Sequence, residues 1–208
     1  KVFWCKNCVA MSTRPRITFD KRGFCSACQW SEKKYFLDWS LREKKLINLL
    51  KKHKSKNSPF DCVVAVSGGK DGSYVAHNLK HKYNVNPLTV TIRPHTETET
   101  GIQNLNNFIK SGYNNILVSP ETEVMRKLNK LGLTEMGFPY YGWLISIHTS
   151  VLRVAHQFNI PLVFYSEDGE VEYGGDAKNI NNEVYSVDYM KSAYLESGHD
   201  KITKLTKL

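Results

Sequence analysis

Short apolar runs alternate with longer amphipathic stretches along most of the chain after residue 58. The runs are rich in β-branched residues and lie at 60–66, 88–92, 116–118 and 161–165. The stretches between them have helical periodicity and are bounded by Gly or Pro. A strand that is apolar along its whole length is typical of a parallel sheet covered on both faces. The pattern therefore predicts an α/β domain with an open parallel sheet and helices on both faces.

The pattern differs before residue 59. From Ser31, a suitable N-cap, apolar residues recur at helical spacing among Lys, Arg and Glu. They are Phe36, Trp39, Leu46, Ile47 and Leu50. This spacing predicts one amphipathic connecting helix to about Lys54, followed by a linker. We therefore divide the chain into residues 1–30, 31–58 and 59–208, with the α/β domain in the last part.

Size and composition are those of a folded domain. The 208 residues suffice for one sizeable core, and 41% hydrophobic with 24% charged residues excludes a disordered chain. No apolar run approaches the ~20 residues that span a bilayer, and residues 1–9 lack the apolar segment of a secretory signal. We expect no membrane association and a cytoplasmic location. Because the sequence begins at Lys1 rather than Met, we also expect it to be part of a longer protein.

The formal charge of +9 arises from 29 basic and 20 acidic residues. A basic surface attracts anions, but nucleic acid, nucleotides and acidic sugars all satisfy that requirement. Much of the excess lies at 33–56 and 201–207, which is typical of a solvated helix face and a basic tail. Charge alone therefore does not select a partner.

Four of the five cysteines form two CxxC pairs, Cys5 with Cys8 and Cys25 with Cys28, separated by sixteen residues. Four thiolates at this spacing can close tetrahedrally around Zn²⁺, as in zinc ribbons, whereas a cytoplasmic chain would keep disulfides reduced. Residues 1–30 are therefore predicted to be a zinc knuckle. Because four Cys ligands leave no open coordination position, the metal is expected to be structural. Cys62, inside the first strand, is predicted to be a core residue rather than a nucleophile.

A glycine-rich turn follows the first strand. The segment Ser67-Gly68-Gly69-Lys70-Asp71-Gly72-Ser73 precedes a helix expected from about Tyr74. Its glycines let backbone N–H groups point at one place, and the helix N-terminus adds its positive end. The segment therefore predicts a site for phosphate or pyrophosphate; a Gly-rich turn without a ligand is the structural alternative.

Two charged residues of this turn have candidate roles. A carboxylate inside a phosphate site repels its ligand unless a cation intervenes, so Asp71 is predicted to bind Mg²⁺, with helix capping as the alternative. Lys70 is predicted to be a counter-charge for phosphate, or simply an exposed residue.

A second group of candidates follows the last strand, where residues 166–176 contain five carboxylates. Such a cluster suggests metal or amine handling, although a solvated acidic loop is equally compatible. The candidate substrate residues there are Glu167, Glu170, Glu172 and Tyr173. Upstream, residues 139–143 offer aromatic side chains for stacking on a sugar or base, or for the core. His148 and His156, on a predicted helix, are expected to be packing residues.

The segment from Ser67 to Ser73 resembles the SGGxDS loop of the N-type ATP pyrophosphatases (PP-loop enzymes), which include GMP synthetase and tRNA-thiolating enzymes. The resemblance implies the adenine nucleotide alpha hydrolase-like (HUP) fold, ATP with Mg²⁺ as ligands, and catalytic roles for Asp71, Lys70 and Ser73. Gly72 stands where the motif has Ser, which leaves open whether Ser67 alone or also Ser73 offers a hydroxyl to the phosphates.

The same resemblance assigns the end of the second strand to adenine, with Thr91 and Ile92 as candidates. Arg93, which follows, would hold a phosphate or a substrate carboxylate, or be an exposed loop residue.

Further motifs extend the resemblance over about 175 residues. They are Cys5-Lys6-Asn7-Cys8, Arg14-Pro15, Thr18-Phe19-Asp20, Gly23 to Cys28, Ser67 to Ser73, and Glu172-Tyr173-Gly174-Gly175. In order and spacing they are similar to the N-acetyl sugar amidotransferases of bacterial surface-polysaccharide synthesis, including lipopolysaccharide and O-antigen. Members of that family are typically longer, which implies a missing or disordered C-terminal part.

This resemblance implies a reaction in which ATP and ammonia convert an acetamido group of a nucleotide-linked sugar into an acetamidino group. The amide oxygen would attack the α-phosphorus of ATP, and ammonia would displace AMP. It also implies a separate glutaminase subunit that supplies ammonia, with the basic surface or the zinc knuckle as its docking site.

Two other functions stay open at this point. A tRNA-thiolating ATP pyrophosphatase also adenylates a carbonyl oxygen and would suit the basic charge, but thiolation often uses a catalytic cysteine, and only Cys62 lies outside the quartet. A zinc-dependent nucleic-acid-binding module is the third, against which the intact phosphate loop argues. Nucleic acid is therefore not the expected partner.

Overall fold

The computed structural model describes residues 1–54, 58–167, 169–175, 186–195 and 198–206. The chain divides into two compact units, one of Lys1–Lys44 with Glu167–Tyr189 and one of Lys45–Ser166 with Met190–Leu208. The acidic segment after the last strand thus belongs with the N-terminal residues. Boundaries at residues 30 and 58 stay a prediction.

The first unit contains the cysteine pairs and two helices, α1 (Ser26–Lys34) and the start of α2 (Trp39–His53). The single helix predicted from Ser31 was wrong, because Ser31 lies inside α1 and the chain leaves helical geometry before Asp38. The carboxylate of Asp38 accepts the N–H of Leu41 at 2.9 Å, which starts a new helix. A 3₁₀ helix at Glu170–Tyr173 and the short α7 (Val187–Tyr189) complete this unit.

The second unit is built on four parallel strands. They are β1 (Cys62–Ala65), β2 (Pro87–Ile92), β3 (Asn114–Val118) and β4 (Val163–Phe164), in the spatial order β3-β2-β1-β4. Val64 of β1 is level with Thr89 on one side and Phe164 on the other. The four predicted strands and the open parallel sheet are therefore confirmed.

Helices cover both faces of this sheet, as predicted. The helices of the second unit are the part of α2 from Lys45 onwards, α3 (Lys70–His81), α4 (Glu99–Lys110), α5 (Thr122–Met136), α6 (Tyr141–Gln157), a π-helix (Met190–Tyr194) and α8 (His199–Thr206). Alternate strand residues face opposite ways: Val64 packs with Leu79 of α3 and Phe108 of α4, whereas Val63 packs with Val151 of α6. Within the described ranges, no helix is long and apolar enough to cross a membrane.

The strand order reverses beside β1. From β1 the chain adds β2 and β3 on one side and later returns to add β4 on the other. Open α/β sheets bind ligands at the carboxyl ends of the strands where the order reverses, because the adjacent loops diverge there. In this chain the turn that follows β1 occupies that place.

Candidate functional site

The turn after β1 depends on Gly68. Its φ of +82° lies in the left-handed region that favours glycine, and a Cβ there would lie 2.6 Å from the backbone nitrogen of Leu105 in α4. The turn ends at Gly69, and α3 begins at Lys70 rather than at Tyr74 as predicted. Residues 70–73 are therefore the first helical turn and not part of a loop.

This helix start offers donors to an anion. Gly69 is the N-cap of α3, and no described side chain caps the helix. The N–H groups of a first helical turn have no partner inside the helix, and the helix dipole makes this end positive. Ser67 Oγ accepts the N–H of Gly69 at 3.4 Å, which places the hydroxyl in the same turn. The geometry fits a phosphate or pyrophosphate group.

Lys70 and Asp71 form an ion pair at the start of α3. Lys70 Nζ lies 2.7 Å from both carboxylate oxygens, and the two side chains are 87% and 60% exposed. An exposed pair of this kind contributes little to stability, so it can rearrange around a ligand. An exposed carboxylate beside phosphate donors is a suitable Mg²⁺ ligand. The roles of both residues stay predictions.

Gly72 and Ser73 lie on different sides of α3. Gly72 is buried against β1, and a Cβ there would lie 3.0 Å from the carbonyl oxygen of Ala65. That close approach accounts for Gly where the motif has Ser. Ser73 instead lines a cavity of about 330 Å³ between α3 and α4, together with Lys70, Tyr74, His77, Phe108, Ser111 and Tyr113.

The candidates at the end of β2 have buried side chains. Thr91 is 2% exposed and its Oγ1 accepts a hydrogen bond from Asn115 Nδ2 at 3.0 Å, while Ile92 packs in the core beneath α6. Any contact of these two residues with a nucleotide is therefore limited to their backbone groups. Arg93 is half-exposed, with Nε 3.5 Å from Glu97 Oε1.

The candidate substrate residues after β4 lie in the first unit. Ser26 Oγ donates to the carbonyl oxygen of Gly174 at 2.7 Å, which joins this segment to the second CxxC pair. Glu172 and Tyr173 are exposed, and the Arg14 guanidinium lies 5.7 Å from the centre of the Tyr173 ring. Glu167 is exposed as well, and Glu170 opens the 3₁₀ helix. Asp168 and Asp176 lie outside the described residues.

The four cysteines converge as their spacing predicts. Their sulfurs all lie within 4.8 Å of one another, with Cys5 to Cys28 at 3.9 Å and Cys8 to Cys25 at 3.6 Å. A zinc ion bonded tetrahedrally at about 2.3 Å requires sulfur separations of about 3.8 Å. The cluster therefore fits Zn²⁺, and Cys62, which is fully buried in β1, takes no part in it.

Backbone donors prepare this cluster for metal. Burial opposes ionisation of Cys5, but the N–H groups of Asn7 and Cys25 donate to its sulfur at 3.4 and 3.2 Å and lower its pKa to about 6. Burial raises the pKa of Cys28 to about 12. Because that thiol stays protonated without a metal, zinc binding must release a proton there.

A charged network braces the second cysteine pair. The carboxylate of Asp20 accepts the N–H groups of Arg22 and Phe24 at 2.9 and 3.0 Å. Arg22 in turn donates to both carboxylate oxygens of Glu32 in α1 at 3.0 and 2.7 Å. The network fixes the turn immediately before Cys25.

Two histidines of α6 differ in their surroundings. His156 is exposed, so its predicted packing role was wrong. His148 lies near two tyrosine rings, with its ring centre 5.6 Å from that of Tyr165 and 4.9 Å from that of Tyr194. Leu144, His148, Val151 and Ala155 recur at helical spacing, and this pattern is the sequence signal that distinguishes His148 from His156.

No protein-family model matches the chain. A curated protein of Methanocaldococcus jannaschii, described as uncharacterized, is 29% identical over 107 residues, which cover 51% of this chain and 38% of that protein. The chain thus matches well under half the length of this relative.

Three solved structures share part of the fold. The NH3-dependent NAD synthetase from Campylobacter jejuni, in complex with nitrate, has a TM-score of 0.49 at 15% identity, covering 81% of this chain and 78% of its own. NMN synthetase from Francisella tularensis has a TM-score of 0.41 at 17% identity, with coverage of 60% and 52%. A predicted subunit of a tRNA methyltransferase from M. jannaschii has a TM-score of 0.39 at 18% identity, with coverage of 65% and 61%. These TM-scores and identities are too low to assign a function, so the function has to be argued from the residues of this chain.

Proposed function

We propose that this chain is an ATP-dependent amidotransferase of the PP-loop type, which converts the acetamido group of a nucleotide-linked sugar into an acetamidino group. The uncapped start of α3 behind the Ser67–Gly69 turn carries the proposal, because it gathers donors for pyrophosphate beside the exposed carboxylate of Asp71. The sugar substrate rests on the sequence motifs.

The reaction needs two displacements. The amide oxygen attacks the α-phosphorus of ATP, and the bond from that phosphorus to the bridging oxygen breaks as pyrophosphate leaves. Ammonia then adds to the activated carbon, and AMP departs with the former amide oxygen. The sum is amide, ATP and ammonia giving amidine, AMP and pyrophosphate.

The protein contributes positioning and charge. The N–H groups at the start of α3, with Lys70, stabilise the departing pyrophosphate. Asp71 would hold Mg²⁺, which neutralises phosphate charge when bound. No protein nucleophile is required, which suits the only cysteine outside the quartet: burial raises the pKa of Cys62 to about 12.

The zinc ion would be structural, held by Cys5, Cys8, Cys25 and Cys28. It would support the segment that carries Glu172 and Tyr173, because Ser26 beside Cys25 binds Gly174. Ammonia would come from a separate glutaminase subunit.

Pyrophosphate release tests the proposal. Purified protein receives ATP, Mg²⁺ and ammonium with either a UDP-linked N-acetyl sugar acid or unmodified tRNA. Release with the sugar is expected, with a loss of roughly 100-fold or more in Asp71→Asn. Glu99→Gln, in the first turn of α4, is the matched control and should retain activity. Release with tRNA alone would instead assign the chain to the thiolating enzymes.

A further inference from the structure

His148 has a buried nitrogen that the fold does not satisfy. Its Nδ1 has no contact with solvent and no hydrogen-bond partner among the residues that the structure describes. On the first turn of the same helix, Trp143 Nε1 is also buried without a partner in those residues. Native proteins leave few such atoms unpaired, and packing alone does not account for them.

The histidine lies at the edge of the sheet where a ligand is expected. Tyr165, which neighbours His148, directly follows β4. Because Phe164 pairs with Val64 of β1, Tyr165 is level with Ala65, and Ala65 lies two residues before the turn that begins at Ser67. His95, just after β2, contacts Tyr140 at the start of α6 with ring centres 5.9 Å apart. The first half of α6 therefore lies at the carboxyl ends of the strands, beside the β1–β4 crevice.

The chemistry around His148 suits a small uncharged polar group. Burial lowers the pKa of His148 below its ordinary value of 6.5, so the ring is neutral near pH 7 and offers one donor and one acceptor. A planar amide, with its own donor and acceptor, matches a single imidazole beside aromatic side chains.

We infer that His148, beside Tyr165 and Tyr194, binds the amide group of the acceptor substrate at the β1–β4 edge. This assignment rests on the proposed function, because that reaction makes the acceptor an amide. Since Nδ1 is closed to solvent, one ring has to move as the substrate enters. Tyr194 is the ring we expect to move, because it ends a five-residue π-helix, whereas Tyr165 follows a paired strand.

Kinetics of two variants test the assignment. His148→Phe keeps a ring and removes the nitrogens, so stability should be unchanged or higher while the KM for the N-acetyl sugar rises about tenfold, the loss of one hydrogen bond. The KM for ATP should stay within about twofold. His148→Gln, which restores a polar group, should recover part of the affinity. His156→Phe, on the same helix but exposed, is the control and should change neither constant.

A binding experiment separates this assignment from the proposed reaction. Wild-type protein with nitrogen-15 in histidine and tryptophan is titrated with N-methylacetamide, and the variants His148→Phe and Trp143→Phe assign the resonances. The amide should shift the His148 ring signals and leave those of His156 in place. If these shifts occur in a protein that releases no pyrophosphate, the amide site is supported and the proposed reaction is refuted. An unshifted His148, or an unchanged KM in an active His148→Phe variant, would overturn the assignment.

Discussion

The contact between Gly68 and α4 gives a quantitative prediction. Alanine at position 68 must adopt a φ of +82°, which costs about 1–2 kcal/mol for a residue with a Cβ. Its Cβ would also lie 2.6 Å from Leu105 N and 2.8 Å from Leu105 Cα, which are backbone atoms that cannot rotate away. Overpacking of this kind costs about 1–3 kcal/mol. Gly68→Ala should therefore lose about 2–5 kcal/mol of unfolding free energy.

Gly137→Ala is the matched control. Gly137 ends α5 with a φ of +68°, but a Cβ there would meet no atom within 4 Å. This variant should lose only the conformational part, about 1–2 kcal/mol. Urea unfolding followed by circular dichroism measures both values, and their difference isolates the contact with α4.

Pyrophosphate binding, measured by calorimetry, completes the test. Relieving the contact at position 68 requires the turn to move away from α4, which displaces the donors at the start of α3. Gly68→Ala should therefore lose pyrophosphate affinity, whereas Gly137→Ala should keep it. Equal losses of stability in the two variants, or intact pyrophosphate binding in Gly68→Ala, would refute the reasoning.

Two further predictions concern the zinc cluster and His148. Cys28→Ala should lower the zinc content from one ion per chain to none. It should also speed hydrogen exchange of the backbone amides at 169–175, because Ser26 beside the cluster binds Gly174. The control Cys62→Ala should keep its zinc, and zinc retained by Cys28→Ala would refute the four-cysteine site. Burial depresses the pKa of His148 in the folded state, so the unfolded state binds more protons just below pH 6.5. As the pH is lowered through this range, the free energy of unfolding should therefore fall by up to about 1.4 kcal/mol per pH unit. Urea unfolding between about pH 5.5 and 7.5 should show a shallower fall in His148→Phe than in wild type, and identical slopes would exclude this contribution.

The two central strands, β1 and β2, could be predicted because they are buried on both faces. Val63 and Val64 point to opposite sides and are both fully buried, so the run reads as continuously apolar. The turn at Ser67–Gly69 was predictable from its local sequence, since the φ of +82° at Gly68 favours glycine, whereas the contact of Gly68 with Leu105 was not. The cysteine cluster was predictable in the same way, because the two cysteines of each CxxC pair are only three positions apart.

The single helix predicted from Ser31 was wrong because some of the apolar residues that defined it are exposed. Phe36 and Trp39 continue the helical period from α1 towards α2, yet they are 88% and 57% exposed, so their spacing did not report a continuous buried face. The helix break at Asp38 was missed for this reason.

Long-range contacts explain the remaining gaps. The bond from Ser26 to Gly174 joins residues 148 apart, and no local pattern predicts that the acidic segment belongs with the cysteine pairs. The family resemblance suggested a ligand contact for Thr91, but its hydroxyl accepts a hydrogen bond from Asn115, 24 residues away on the neighbouring strand, and its side chain is buried.

The fate of the substrate's amide oxygen tests the central claim most directly. An N-acetyl sugar substrate labelled with oxygen-18 in its acetamido carbonyl is incubated with the protein, ATP, Mg²⁺ and ammonium. The masses of the AMP, pyrophosphate and inorganic phosphate are then measured by mass spectrometry. Attack on the α-phosphorus predicts one labelled oxygen in each AMP and none in pyrophosphate. Label in inorganic phosphate, or AMP without label, would contradict the proposed adenylation.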